Sequence, residues 1–186
     1  LIEAAGEGWA DVVKDLIAKK CDVNIQDENG FDALMVAAAG GHDDVLTALL
    51  KAKADPNHKN KASGTALHEA PAIANAKCVS QLLYWKADPN IANEKGHTAL
   101  MMAAATGTGV NEKDALAIVK QLVSKGANME ARDEDGRTAL FLTAMAGHVP
   151  MVNALIGHKA DKEATDKLNF TPLMASAAAG QIPVLE

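Results

Sequence analysis

Six histidines and two cysteines are the side chains of this 186-residue protein best suited to chemistry, and their placement argues against most of it. A zinc site needs thiolates and imidazoles at short, paired spacings. No His/Cys pair here has such spacing. His42 and His148 each follow a glycine, His68 ends the run Thr65-Ala66-Leu67-His68, and His58, His97 and His158 lie apart in loops or at a helix end. Asp133-Glu134-Asp135-Gly136 opens like a calcium loop, but the later ligands and the bidentate glutamate are missing. Thr106-Gly107-Thr108-Gly109 is glycine-rich, yet it lacks the Gly-Lys-Ser/Thr ending of a phosphate loop and follows no strand. No nucleophile, base and orienting group can be assembled by spacing. The expectation is a protein with no catalytic residue, no cofactor site and no metal site, and hence not an enzyme.

The elements that hold these residues explain them better. Nearly half of the chain is apolar, only 3% is aromatic, and alanine is plentiful. That mixture suits closely packed small helices rather than strands, which favour β-branched and aromatic residues. The net charge of −6 comes with both signs interleaved and no Lys/Arg-rich block, so the electrostatic footprint of a nucleic-acid binder is missing. No apolar run approaches the ~18–20 residues that span a bilayer. Two cysteines fit a reducing compartment, so an intracellular, cytoplasmic or nuclear setting is expected.

The dominant signal is repetition. Leu34, Leu67 and Leu100 stand 33 residues apart, as do Ala54-Asp55-Pro56-Asn57 and Ala87-Asp88-Pro89-Asn90, and again Leu140 and Leu173. Only the step from Leu100 to Leu140 is longer, at 40, and the extra residues fall within Thr106–Asp114. Asp32, Thr65, Thr98, Thr138 and Thr171 each precede an apolar run, where a side-chain oxygen can accept from free N–H groups of a first helical turn. Pro172 suits the first helical position. Short alanine-rich runs follow, then breaks at Gly8, Gly41, Gly107, Gly147 and Gly180. Second helices carry apolar residues at i, i+1, i+4 and i+5, as in Val45, Leu46, Leu49 and Leu50. Gly30, Gly96 and Gly136 mark tight turns between units. Cys21 and Cys78 hold different places in units two steps apart, too far for a disulfide, and both are expected to be buried packing residues.

A period of 33 with a turn and two helices resembles the ankyrin repeat. Thr171-Pro172-Leu173-Met174 and Thr65-Ala66-Leu67-His68 are variants of that family's Thr-Pro-Leu-His motif, and Gly41-His42 and Gly147-His148 match its Gly-His break. The resemblance covers the whole chain. It implies an all-α solenoid of stacked helix-turn-helix units with projecting hairpin loops, divided as 1–26 (partial), 27–59, 60–92, 93–132 with the insertion at 106–114, 133–165 and 166–186 (partial). The ends suggest a piece of a longer chain, because Leu1-Ile2 and Val184-Leu185 would lack a polar cap.

By the same resemblance, His42, His68 and His148 tie turns together by hydrogen bonds, and Asn24, Asn57 and Asn90 match places where hairpin asparagines are hydroxylated. The implied function is a scaffold or recognition module for another protein or peptide, acting as a monomer without nucleic acid or membrane insertion. The alternative is a regulatory or targeting segment of a larger enzyme or channel. The hairpin tips would be Glu28, Asn29, Phe31, Lys61, Glu94, Lys95, His97, Glu134, Asp135, Arg137, Lys167 and Phe170. A groove would run over Ala39, Gly40, Ala72, Ile73, Ala105, Thr106, Met145, Ala146, Ala178 and Ala179. The expected partner contacts are Phe31, Ile73, His97, Arg137, Met145 and Phe170, since binding energy concentrates in large or forked side chains.

The unit at 60–92 departs most from the pattern. Ser63 stands for the turn glycine, Ala74-Asn75 for Gly-His, and Pro71 lies inside the first helix, where a kink or early end is expected. The next unit carries the insertion, as a tolerated loop or as part of a shaped site with the Pro71 unit. Tyr84-Trp85 falls at the end of a second helix, either laid over the neighbouring unit or exposed as a secondary patch.

Overall fold

A computed structural model describes residues 1–105, 112–181 and 184. Its described residues form eleven helices in two layers. The inner layer is α1 (Ile2–Gly6), α3 (Ala33–Gly40), α5 (Ala66–Ala72), α7 (Ala99–Ala105), α9 (Ala139–Ala146) and α11 (Pro172–Ala178). The outer layer is α2 (Ala10–Ala18), α4 (Asp43–Lys51), α6 (Ala76–Tyr84), α8 (Glu112–Ser124) and α10 (Val149–Gly157). Each inner helix packs on the next inner helix, and each outer helix on the next outer one. Among the described residues the only β pairing is one antiparallel bridge, between Gln26 and Asp32. The all-α repeat architecture is therefore the one the sequence implies.

The caps begin the inner helices as their residue types dictate. Asp32 Oδ1 accepts from the Met35 N–H at 2.9 Å, Thr138 Oγ1 from Phe141 N–H at 3.3 Å and Thr171 Oγ1 from Met174 N–H at 3.3 Å. Thr65 forms a capping box in which His68 takes the place usually held by Glu or Gln, its Nδ1 accepting from the Thr65 N–H at 3.1 Å. Gly41 and Gly147 then turn the chain with left-handed φ of 72° and 81°.

The core is a row of equivalent leucines. Leu34, Leu67, Leu100 and Leu140 are buried, and the outer helices bury Leu46, Leu49, Leu82, Ile118 and Leu122 against them. The small inner side chains Ala37, Ala38, Ala70, Ala103 and Ala104 are buried too, so neighbouring helices approach closely.

Pro71 lies inside α5 without breaking the unit. α5 stops at Ala72, one residue short of the equivalent place in α3 but level with the end of α11, which has no interior proline. The closing bonds survive because they use carbonyls: Ala74 N–H donates to Pro71 O at 2.9 Å and Asn75 N–H to Ala70 O at 3.3 Å, as Gly41 and His42 do to Ala38 and Ala37. Ala74 takes the left-handed conformation that glycine holds elsewhere, with φ 52°.

The insertion is not wholly a loop. Residues 106–111 lie outside the described part, but Glu112–Asp114 are helical. Together with Ala115 they lengthen α8 to 13 residues, where α4, α6 and α10 have nine.

Candidate functional site

Two surfaces of the solenoid are built by the repeat itself: the row of hairpin tips and the exposed face of the inner helices beside it. The tips rest on an aspartate or asparagine that recurs once per unit. Oδ1 of Asp27, Asn60, Asn93, Asp133 and Asp166 each accepts from the backbone N–H groups two and four residues on, at 2.8–3.0 Å. The backbone N–H of the same residue donates to the carbonyl four residues on, closing the turn. Successive tips are then joined by one backbone bond each: Lys61 N–H to Asn29 O, Glu94 N–H to Ala62 O, Glu134 N–H to Lys95 O and Lys167 N–H to Asp135 O, all 2.9–3.0 Å. The tip row is thus a preorganised rim rather than a set of free loops.

A second ladder ties the opposite ends of the hairpins. Oδ1 of Asn24, Asn57 and Asn90 accepts from the N–H of Asp55, Asp88 and Asn128 at 3.0, 2.7 and 2.7 Å. Nδ2 of Asn57 donates to Lys86 O at 3.2 Å, and Nδ2 of Asn90 to Gly126 O at 3.1 Å. Glu130 does the same for Asp161 with its Oε1. These amides therefore have structural partners.

On the inner helices, positions spaced i, i+3 and i+4 face outward together. The exposed face of α5 carries Ala72 and Ile73, that of α9 carries Met145, and the tip of the following hairpin carries Phe170. Ile73 is 41% exposed, Met145 38% and Phe170 40%. Phe141, Met145 and Phe170 line a cavity of about 700 Å³ between α9 and α11, with Asp135, Arg137 and Lys167 at its mouth. Phe31 is only half exposed and packs partly against the core. Ala39, Gly40, Ala105, Ala178 and Ala179 are exposed and Ala146 half exposed, whereas Thr106 lies outside the described residues.

Two of the expected contacts are tied into the scaffold. Arg137 Nε lies 2.8 Å from Asp133 Oδ2, and its Nη2 2.8 Å from Asp135 Oδ2. His97 Nε2 lies 3.5 Å from the same Asp133 oxygen, and the His97 carbonyl is 3.0 Å from His68 Nε2. His68 is buried, and that burial holds its imidazole below the ordinary value despite the His97 carbonyl. Since Nδ1 accepts from Thr65 N–H, the neutral ring carries its proton on Nε2 and donates it to the next unit.

The other histidines divide. His42 Nε2 lies 2.8 Å from Gly6 O and ties two turns, as the resemblance implies. The Nε2 of His148 is buried with no hydrogen-bond partner among the described residues. Asn75 stands in for the histidine of its unit, donating from Nδ2 to Gly41 O at 3.2 Å.

Cys78 is buried as expected, 3.1 Å from Asp43 Oδ1, and burial followed by that carboxylate pushes its thiol up to about 12. Cys21 is half exposed rather than buried, although Ala54, Ala87, Ala127 and Ala160 at the same place in later units are buried. Tyr84 is 76% exposed and Trp85 38%, their rings edge-on at 6.1 Å, so Tyr84 does not lie over a neighbouring unit. Among the described residues no group of His, Cys, Asp and Glu could hold a metal ion.

One residue of this face was not singled out by the sequence. Glu69 is half buried on α5, at the place held by Val36, Met102 and Leu142 in other units. Its carboxyl is pushed up by burial, with no hydrogen bond or cation among the described residues acting against it. The signal available was a lone acidic residue in a column otherwise apolar from the second unit to the last.

A family model described as "Ankyrin repeats (3 copies)" matches residues 1–93 and 110–186. A search of curated proteins returned no match.

Proposed function

As the chain belongs to the ankyrin-repeat family, we propose that it is a recognition scaffold that holds a partner protein or peptide across the exposed face of its inner helices and its hairpin tips. Ankyrin repeats are generally protein–protein interaction modules and typically non-catalytic. The observation that carries the reading is the joint exposure of Ile73, Met145 and Phe170 beside a hydrogen-bonded rim. Large apolar side chains on a preordered surface lose little entropy on binding, and this favours them as anchors. Arg137 and His97 serve mainly to fix the rim, and Phe31 adds a half-buried edge. Tyr84-Trp85 forms a secondary patch on the outer layer.

The partner is a polypeptide rather than nucleic acid, a reading supported by a rim of both signs and a net charge of −6. Among the described residues no helix is long and apolar enough to cross a membrane. The scaffold acts as a monomer inside the cell, a setting the two free cysteines support. The six-unit division supplies the register for these contacts, and no residue of the chain carries out catalysis.

The test is affinity capture with the wild-type chain beside the triple variant Phe31→Ala, Met145→Ala, Phe170→Ala, read by quantitative mass spectrometry. Proteins retained by the wild type and lost by the variant support the groove. Identical capture by both overturns it.

A further inference from the structure

The floor of the groove carries charge of one sign. On the outward positions of the inner helices the charged side chains are Glu3 and Glu7 on and just after α1, and Glu69 on α5; among the described residues no lysine or arginine shares these positions. None of the three carboxylates has an ion-pair partner among the described residues, although the tips around them pair Arg137 with Asp133 and Asp135. Glu69 differs from the other two in being half buried, between the apolar columns of α3 and α7.

That placement constrains what can cover the groove. A bound segment removes water from the floor. Laid over Glu69, an apolar or acidic segment would strip the last hydration from an unpaired carboxylate, a strongly unfavourable change. A guanidinium or ammonium group reverses the sign, because a charge-assisted hydrogen bond gains strength as water leaves. Further along the same face, the cavity lined by Phe141, Met145 and Phe170 asks for a large apolar side chain. Helices α5 and α9 are two packing steps apart, or roughly 20 Å. An extended segment covers that distance in about six residues, and a helix in about thirteen.

We propose that the groove selects a partner segment carrying an arginine or lysine that pairs with Glu69 and a large apolar residue that fills the Met145–Phe170 cavity. The proposal rests on the groove reading above and names the chemistry of its partner. Glu69 sets specificity: it admits basic segments and rejects acidic ones, which would leave two carboxylates facing each other in a dry site.

The probe is a phage-displayed library of random peptides about 16 residues long, selected in parallel on the wild-type chain, Glu69→Gln and Glu69→Arg. Length of that order spans the two sites in either conformation. Peptides from the wild-type selection are expected to be enriched in arginine or lysine together with leucine, phenylalanine or methionine. A synthesised member should lose at least ~tenfold in affinity for Glu69→Gln, as expected for truncating one partner of a desolvated charge pair. Selection on Glu69→Arg should shift enrichment to acidic peptides. Thermal melts and circular dichroism confirm folding, and Glu69→Gln removes a desolvated charge without changing shape.

Affinity for Glu69→Gln within ~twofold of wild type overturns the assignment of Glu69, set against the tenfold loss expected of a desolvated pair. If the same peptides still lose binding to Met145→Asp and Phe170→Ala, the groove reading stands and only this inference fails. If they bind those variants unchanged, or if no peptide is enriched on the wild type, the groove reading fails and this inference with it.

Discussion

Arg137 Nε and Asp133 Oδ2 are 2.8 Å apart, joining a half-exposed guanidinium to a carboxylate whose side chain is almost wholly buried. Asp133 already accepts from the N–H groups of Asp135 and Arg137 through its other oxygen. Arg137 is therefore a strut of its hairpin first. Arg137→Ala should destabilise the chain by ~1–3 kcal/mol, the range for losing a hydrogen bond to a buried charged group. Asp133→Asn should cost less in the Arg137→Ala background than in the wild type. A double-mutant cycle by chemical denaturation measures the coupling, and additive effects would show that the pair contributes nothing.

Leu100 is fully buried in α7, between the leucine columns of α5 and α9. Leu100→Ala should cost ~2–5 kcal/mol. In a repeat protein each unit is coupled mainly to its neighbours, so the loss falls on the middle of the array and should broaden or split the unfolding transition. An unchanged melt would refute the packing register.

Acid should weaken the fold through His68. Burial holds its imidazole below the ordinary 6.5, so the folded chain keeps it neutral where the unfolded chain takes up a proton. The unfolded state then binds more protons, and stability falls as pH drops below about 6.5, levelling off once pH passes the folded value. His148 is lowered by burial in the same sense. Denaturation free energies measured from pH 7.5 to 5 should decline, and His68→Gln should flatten the slope while lowering stability throughout.

Ser63 holds φ 58° where three other hairpins place Gly30, Gly96 and Gly136 at 75–81° and the last places Asn169 at 60°. A side chain is strained in that region by about 1 kcal/mol. Ser63→Gly should therefore raise stability by up to ~1 kcal/mol. The reverse change at Gly96 should be worse, since an added Cβ would stand 2.9 Å from the Asp133 Cα of the next hairpin, a backbone atom that cannot swing away. Thermal melts of Ser63→Gly and Gly96→Ala should move in opposite directions.

Much of the fold was legible because a short unit repeats. Leu34, Leu67 and Leu100 at one spacing fix a shared environment, and the caps at Asp32, Thr138 and Thr171 hold the bonds their residue types favour. The hairpin ladder was harder to see. Asp27, Asn60, Asn93, Asp133 and Asp166 recur once per unit, but acidic and amide residues are common in turns, and pairing of one tip with the next is visible only in three dimensions. The length of α8 was missed because nothing in Glu112-Lys113-Asp114 opposes either loop or helix.

The sequence by itself determined the unit: two short helices, a glycine break, a capped start and a buried leucine, each set by local propensity and by a period that local patterning can express. Tertiary structure decided which polar side chains are spare. Arg137 and His97 looked free and are bound within the rim, and Glu69 drew no notice yet stands half buried on the groove floor, unpaired among the described residues. The physical reason is that hydrogen bonding and desolvation depend on what the neighbouring unit brings within 3 Å or strips of water, and residues 33 apart in the chain meet only once the stack is built.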